Sequence, residues 1–357
     1  MKPKALIAMS GGVDSSVAAA LTMNAGYDCV GATMKLFCRD DACTPHGDIC
    51  GSPDDIEDAR RAAFSLGMPY EVFDFSPRFK EEVIERFVSA YERGATPNPC
   101  VDCNRFLKFG ALFSRAEDLG CNHVVTGHYA RIEFDEEAGR YLLKKAVDES
   151  KDQSYFLFFL SQEQLSRTLF PLGGMKKPQV RAVAQSLGLL NAAKRESQDI
   201  CFVQNGRYAD FIEQYTGRRC LEGHFVDRMG KVLGTHKGII HYTVGQRRGL
   251  GLSLHRPYFV CAVDPVTHTV TLGDEDDLLS RSLVAKGINL IALDSIEAPM
   301  RLKAKVRYRQ TEQWATVTQT DDDTLQVVFD EPLRAIARGQ ALVLYDGDTV
   351  VGGGTIQ

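Results

Sequence analysis

The sequence predicts an α/β domain with a parallel sheet and helices on both faces, followed by a small central domain and a C-terminal β-barrel. Three observations carry this. Strand-like and helix-like segments alternate as far as about Gly127, a pattern that builds a parallel sheet covered by helices. After Ser197 the chain breaks into short apolar runs rich in glycine with one helical stretch. From about Arg281 strand-like alternation runs to the end, with turn signals such as Asp346-Gly347-Asp348, which suggests a small barrel. The expected domains are therefore residues 1–196, 197–280 and 281–357.

Each element has its own signal. Ala5-Leu6-Ile7-Ala8-Met9 reads as the first strand, and Val17-Ala18-Ala19-Ala20-Leu21 as the helix after it. Asp28–Lys35 reads as a strand, Pro53–Leu66 as a helix, Tyr70–Phe75 as a strand, Pro77–Arg93 as a helix and His123–Thr126 as a strand. The helix at Pro53 has Ser52 as N-cap, proline at its first position and Asp55 at the third. Helical stretches at Ser161–Phe170 and Pro178–Leu187 complete the first domain, and Tyr208–Tyr215 is the one helix of the central segment. The chain has no internal repeat and no low-complexity segment.

Composition sets the class. At 357 residues the chain is long for one hydrophobic core, and 44% apolar with 25% charged residues is ordinary for a globular protein. No run of about 18 apolar residues is present, and Lys2-Pro3-Lys4 leads straight into the first strand. Neither a membrane span nor a signal peptide is expected, so the cytoplasm is the expected location. There, ten cysteines are not expected to form a structural disulfide framework, and clustered ones are better read as metal, redox or nucleophilic groups. A net charge of −5 gives no global sign of nucleic-acid binding, although a sum can conceal a local basic surface.

The most informative segment is Met9-Ser10-Gly11-Gly12-Val13-Asp14-Ser15-Ser16, which lies between the first strand and its helix. Gly11 and Gly12 let the backbone turn tightly and approach a ligand. Successive amide N–H groups and the helix N-terminus attract an anion. Ser10, Ser15 and Ser16 add hydroxyls, and Asp14 could hold a Mg²⁺ riding on phosphates. The loop lacks the Gly-Lys-Ser/Thr of a P-loop and is not the G-x-G-x-x-G of a dinucleotide fold. It resembles the S-G-G-x-D-S pyrophosphate loop of the N-type ATP pyrophosphatases, which split ATP into AMP and pyrophosphate to adenylate a substrate. An ordinary glycine turn is the competing reading, and both placement and composition oppose it.

Cysteines form the second constellation. Cys100-Val101-Asp102-Cys103 opens a helix-like run, Asn104–Phe109, after Thr96-Pro97-Asn98-Pro99, and Cys201 lies in Ser197–Phe202. A cysteine at a helix N-terminus beside Arg105 and Lys108 should favour the thiolate. Sulfur transfer needs two such cysteines, one carrying a persulfide and one assisting attack or resolving the product by disulfide exchange. Ordinary buried thiols are the alternative for any one of them. Cys38, Cys43, His46 and Cys50 have irregular spacings and read as incidental to a loop rather than as a zinc site.

Together with Thr126–Ala130, Lys151–Tyr155, Tyr242–Gly251 and Gly339–Gly354, these blocks resemble, in order and from end to end, the bacterial tRNA-specific 2-thiouridylase family. That resemblance implies ATP-dependent activation of the C2 oxygen of the wobble uridine and its replacement by sulfur relayed from a cysteine desulfurase or a sulfur-relay protein. By the same resemblance Cys103 is the catalytic cysteine, Cys201 the persulfide carrier, and Asn98, Pro99 and Cys100 contact the target base. Met9 to Ser16, Met34 and Gly127 line the ATP site. His128, Lys151, Asp152, Gln153, Tyr308, Arg309 and Gln340 contact a tRNA of the Lys, Glu or Gln type. Many family members carry aspartate at the position of Cys100. Here Cys100, Cys103 and Cys201 offer three thiolates, so a [4Fe–4S] cluster with an open iron stands beside a metal-free persulfide relay.

An RNA partner also has support outside the resemblance. Arg301, Lys303, Lys305, Arg307 and Arg309 alternate with apolar residues, so a strand there would be basic on one face. Residues 281–320 hold seven Lys/Arg against three Asp/Glu. Charges about 6.7 Å apart could follow a phosphate backbone, whereas a solvated strand face is the plainer account. Lys144-Lys145, Lys176-Lys177, Arg218-Arg219 and Arg247-Arg248 are weaker basic signals. Two other function classes remain. A small-molecule ligase with this loop gives Cys103 and Cys201 no role, and a non-catalytic tRNA-binding or sulfur-carrier module does not need the loop.

Overall fold

The computed structural model of the chain describes residues 2–37, 51–189, 191, 194, 200–203, 206–253 and 256–357. Cys38, Cys43, His46, Cys50 and Ser197 to Asp199 lie outside the described residues. The chain divides into two compact units: Met1–Val83, Cys100–Val203 and Gly347–Val351, and Ile84–Pro99, Gln204–Asp346 and Gly352–Gln357.

The first unit holds a five-stranded parallel sheet built from β1 (Lys4–Ala8), β2 (Asp28–Lys35), β3 (Tyr70–Asp74), β4 (His123–Val125) and a short edge strand, Thr168–Leu169. β1 lies at its centre, with Ala5 opposite Cys29 of β2 on one side and His123 of β4 on the other. Ala5, Leu6 and Ile7 are fully buried. Their alternation sends Ala5 and Ile7 into one apolar cluster with Val125, and Leu6 to the opposite face. Helix α1 (Val13–Asn24) adds Val17, Ala18 and Ala19 to that cluster, α2 (Pro53–Ser65) adds Ala59, Ala62 and Ala63, and the helix Lys177–Ser186 adds Val180 and Ala184. Burying each leucine or isoleucine of this kind contributes about 1.5–3 kcal/mol. α2 begins as expected, with the Ser52 hydroxyl accepting the Asp55 N–H at 3.1 Å.

Two local expectations need correction, and one further element appears. The stretch Ser161–Phe170 is not one helix. Ser161 caps a five-residue helix, Gln162–Ser166, through a capping box with Gln164, and β-branched Thr168 then joins the sheet edge opposite Val124. The helix at Pro77–Arg93 changes pitch: an α-helical turn at Ser76–Phe79 passes into a π-helical stretch, Lys80–Glu85, and returns to α at Arg86–Glu92. A hairpin, β5 (Ala130–Asp135) and β6 (Arg140–Lys145), was not anticipated. Its turn places Gly139 at φ +63°, and the first residues of the last strand, Thr349 and Val350, pair with Lys144 and Leu143.

The second unit contains the helix Tyr208–Thr216, ended by Gly217 at φ +65°, and a four-stranded sheet. Its strands are Phe259–Asp264, Thr269–Gly273, Gly223–Val226 and Val232–His236, in that spatial order. Six strands then close into an antiparallel barrel in the order Leu279–Leu290, Thr324–Arg334, Gln313–Asp321, Met300–Lys305, Ala341–Asp346 and Thr349–Ile356. Pairing of Ala285 with Ile356 completes the ring. Leu302, Ala304, Val306, Ala315, Val317 and Phe329 fill its interior.

The basic face is shorter than its sequence suggests. The strand stops at Lys305, and Val306 to Gln310 turn, with the Gln310 side-chain oxygen accepting the Val306 N–H at 3.3 Å. Arg301 forms a two-pronged pair with Asp330 at 2.7 and 2.6 Å, Lys305 lies 4.0 Å from Glu312, and Arg307 donates to the Ala335 carbonyl at 3.3 Å. Lys303 lies 5.4 Å from the ring centroid of half-exposed Trp314. Three rungs remain on the strand, and two of them face carboxylates.

Candidate active site

In an open parallel sheet a ligand binds beyond the carboxyl ends of the strands, where the strand order reverses. Here the order runs β3, β2, β1 and then β4, so the reversal lies between β1 and β4. Met9 to Gly12 follow β1 and Thr126 to His128 follow β4, which explains why residues more than a hundred apart in sequence meet.

Gly11 sits at φ +73°, and a β-carbon on it would lie 2.4 Å from the Asp55 carbonyl oxygen. Only glycine fits there. Gly12 is extended, with φ −89° and ψ 164°, and starts α1 without a side-chain cap, so the amides of the first turn are left for a ligand. The hydroxyls brace the turn from within. Ser15 and Ser16 donate to the Gly12 carbonyl at 3.0 and 3.1 Å, and the Ser10 N–H donates to Ser15 Oγ at 3.1 Å. Asn191 Nδ2 donates to the Gly11 carbonyl at 3.1 Å and to Ser16 Oγ at 2.9 Å. Gly127 passes so close that a β-carbon would lie 2.9 Å from both the Asp14 carbonyl carbon and the Ser15 nitrogen. Thr33 Oγ1 donates to the Met9 carbonyl at 2.7 Å, and half-buried Met34 is next on β2. Met9, Val13, Ser15 and Ser16 are buried, whereas Ser10 is exposed and Gly12 and Asp14 are half-buried.

Asp14 is the charged centre of the loop. Lys177 Nζ lies 2.8 Å from each of its carboxylate oxygens, and the Tyr129 hydroxyl donates to Oδ1 at 2.9 Å. In the sequence Lys177 stands out only as one of several basic pairs, and Tyr129 carries no signal of a role. Nothing local in the sequence links positions 14, 129 and 177, because tertiary structure alone brings them together.

The structure also places the sulfur and RNA candidates. The helix containing Cys100 and Cys103 starts at Pro99 and becomes π-helical from Cys103 to Ala111, a rarity that concentrates at functional sites. Cys100 is exposed and Cys103 half-buried. Asn104, the next residue, is buried and donates from Nδ2 to the Phe156 carbonyl at 3.5 Å. Cys201 is half-buried and is followed by Phe202, which is buried edge-on against Phe79 at 5.8 Å. Cys29 and Cys121 are buried, and burial pushes the Cys29 thiol up to about 11 and raises that of Cys121. Among the described residues no three His, Cys, Asp or Glu side chains are grouped closely enough to hold a metal ion.

His128 is buried between Phe109 and Phe170, and Thr126 Oγ1 lies 2.7 Å from its Nδ1. Burial, reinforced by Lys108, keeps its imidazole neutral, with a pKa well below the ordinary value. Asp152 is buried too, accepting the N–H groups of Ala146 at 3.0 Å and Ser154 at 3.2 Å and the Ser154 hydroxyl at 2.8 Å. Gln153 exchanges hydrogen bonds with the Tyr129 backbone, and Lys151 is half-buried. In the second unit Tyr308 is half-buried and Arg309 exposed. Gln340 Nε2 donates to the carbonyls of Thr96 at 2.8 Å and Pro97 at 3.2 Å, directly before Asn98 and Pro99.

Comparison with known proteins agrees with this organisation. Residues 3–205 match the tRNA methyl transferase HUP domain, residues 209–274 the tRNA methyl transferase PRC-barrel domain, and residues 280–356 the aminomethyltransferase beta-barrel domain. The chain is 48% identical over 357 residues to the tRNA-specific 2-thiouridylase MnmA of Clostridioides difficile strain 630, covering 100% of this chain and 99% of that one. It is 48% identical over 358 residues to the protein of the same name from Acetivibrio thermocellus, again covering 100% and 99%. A solved 4-thiouridine synthetase bound to RNA and ATP is similar over 60% of this chain and 50% of that one, with a TM-score of 0.38 and 17% identity, too distant to argue from. The chain belongs to the tRNA-specific 2-thiouridylase MnmA family.

Proposed function

We propose that this chain is a tRNA-uridine 2-sulfurtransferase that uses ATP to form 2-thiouridine at the wobble position, 34, of tRNA. The observation that carries this reading is the Ser10–Ser16 turn, seated under Gly127 at the sheet's switch point in a chain related end to end to 2-thiouridylases. The words methyl transferase in two of the domain descriptions suggest another reaction, but methyl transfer would leave the pyrophosphate-type loop and two thiols without a task.

With the β- and γ-phosphates in the loop, the α-phosphorus stays open to attack. The uridine C2 oxygen bonds to it, the bond to the bridging oxygen breaks, and pyrophosphate leaves. Cys201 carries the incoming sulfur as a persulfide received from a cysteine desulfurase or a relay protein. The terminal sulfur attacks C2, and AMP departs with the C2–O electron pair. The Cys103 thiolate then attacks the Cys201 sulfur, the S–S bond to the transferred sulfur breaks, and 2-thiouridine is released. A Cys103–Cys201 disulfide is left, which an external thiol reduces for the next turnover.

A phosphate-borne Mg²⁺ takes one or two carboxylates from the protein, and Asp14 would supply one here, helping to neutralise the departing pyrophosphate. The [4Fe–4S] alternative fits less well. Cys100, Cys103 and Cys201 are all described, and they are not grouped as metal ligands. The persulfide relay uses thiol chemistry alone. The reading assigns ATP chemistry to residues 1–196, tRNA binding to 197–280 with Lys151 to Gln153, and backbone contacts to the barrel. It places the protein in the cytoplasm, and among the described residues no helix is long and apolar enough to cross a membrane.

The test is mass spectrometry of tRNA nucleosides from a strain lacking the gene. Wobble 2-thiouridine derivatives should disappear and return with the wild-type gene but not with Cys103→Ser or Asp14→Ala. An unchanged thiouridine content in the deletion strain would overturn the assignment.

A further inference from the structure

The turn Ser10–Ser16 contains no cation, although the triphosphate it is read as binding carries several negative charges. Helix-end amides supply only about half a unit charge, which is why the P-loop adds its own lysine. The structure offers one from a different element. Lys177 opens the helix Lys177–Ser186, and its position is pinned by the backbone. The Lys177 N–H donates to Asp148 Oδ2 at 2.9 Å, the Lys176 N–H donates to Gln179 Oε1 at 2.7 Å, and Pro178 fixes the first turn. That backbone hydrogen bond is the leading cause holding the Asp148 carboxyl below its ordinary range.

From this fixed origin the Lys177 side chain runs inward, 8% exposed, to the Asp14 carboxylate, with Nζ 5.7 Å from the centre of the Tyr129 ring. A buried ammonium is costly unless it is paired, and Asp14 pairs it with both oxygens. Asp14 is also the carboxylate that a phosphate-borne cation would claim. Once a cation neutralises Asp14, that ion pair weakens, and the ammonium stays beside the loop. Incoming phosphate oxygens are the matching acceptors.

We propose that Lys177 is the phosphate-binding lysine of this nucleotide site, paired with Asp14 when no nucleotide is bound and transferred to the β- and γ-phosphates when ATP binds. The inference rests on the ATP reading of the Ser10–Ser16 loop and adds a residue to it.

The test measures ATP, inorganic pyrophosphate and AMP binding by titration calorimetry, with Mg²⁺, for wild type, Lys177→Gln, Lys177→Met and Lys177→Arg. If the wild-type chain binds no ATP, the nucleotide reading itself fails. If it binds, both neutral variants should lose at least about tenfold in affinity for ATP and pyrophosphate and stay within about twofold for AMP, and arginine should restore most of the loss. A merely structural lysine would move ATP and AMP together. Equal losses for both ligands, an unchanged ATP affinity in the neutral variants, or failure of both to fold would assign Lys177 to the framework and overturn the proposal.

Discussion

Gly11 and Gly12 are adjacent, yet alanine should have opposite consequences at the two positions. At Gly11 a methyl group meets two obstacles. Its φ of +73° is left-handed, which costs a non-glycine residue about 1–2 kcal/mol. The new β-carbon would also lie 2.4 Å from the Asp55 carbonyl oxygen and 2.9 Å from the Asp55 α-carbon. Ordinary contact needs about 3.4 Å, so either the loop or the first turn of α2 must move by about 1 Å, and overpacking of this kind costs about 1–3 kcal/mol. Together the terms reach about 2–5 kcal/mol, a large part of the 5–15 kcal/mol that holds a typical domain. At Gly12 the backbone is ordinary, and the nearest atom to a new β-carbon is Ser10 Oγ at 3.4 Å. Gly12→Ala should fold normally and act only against a ligand approaching the helix start. Thermal unfolding with and without ATP separates the two: Gly11→Ala should lower Tm by several degrees or more without ligand, whereas Gly12→Ala should keep Tm and lose most of the ATP-induced rise. A Gly11→Ala protein as stable as wild type, or a Gly12→Ala protein that is destabilised yet binds ATP normally, would refute this division of roles.

Other outcomes follow from the same geometry. Iodoacetamide at pH 8 should alkylate Cys100 and leave Cys29 and Cys121 unmodified, because both of the latter are buried with raised thiol pKa values; peptide mass mapping reads this directly. The hydroxyl of Ser76 and then Lys35 hold the Asp74 carboxyl at about 2, so its stabilising contribution is full above about pH 4 and is lost as pH falls from about 4 to about 2. Asp74→Asn should flatten that part of the Tm–pH curve. His128 has the same sign at a higher window: its lowered pKa favours the fold above about 6.5, and acidification below that should destabilise wild type more than His128→Asn. On the barrel, Lys303→Glu should weaken tRNA binding and lower the slope of log K against log salt by about 0.9 for one lost phosphate contact. Arg301→Gln should change the slope less, since Arg301 already pairs with Asp330.

Much of this fold was legible because its signals are local. The apolar run Ala5 to Met9, the cap at Ser52 and the period of the barrel strands need only a few neighbouring residues to be read. The elements that misled were those decided by distant partners. Thr168 and Leu169 look like the end of a helix until β4 offers them a sheet edge, and Arg307 continues an alternating pattern whose strand has already ended in a turn. In the hairpin, Ala130–Asp135 alternates apolar and polar residues, whereas Arg140–Lys145 does not and is fixed as a strand by pairing with it. The site divides the same way. Ser10 to Ser16 are contiguous and could be recognised, while Tyr129, Lys177 and Asn191 reach the loop only through the packing of β4 and two later segments. Burial was the other blind spot, since neither His128 nor Asp152 shows in sequence that its polar atoms are turned inward.

The central claim is that ATP is split between its α- and β-phosphates to activate tRNA. The direct measurement incubates the purified protein with radiolabelled ATP, with or without an unmodified tRNA bearing a wobble uridine, and separates the nucleotides by chromatography. AMP and pyrophosphate should form only when tRNA is present, and Asp14→Ala should form neither. Release of ADP and phosphate, or AMP formation at the same rate without tRNA, would contradict the account.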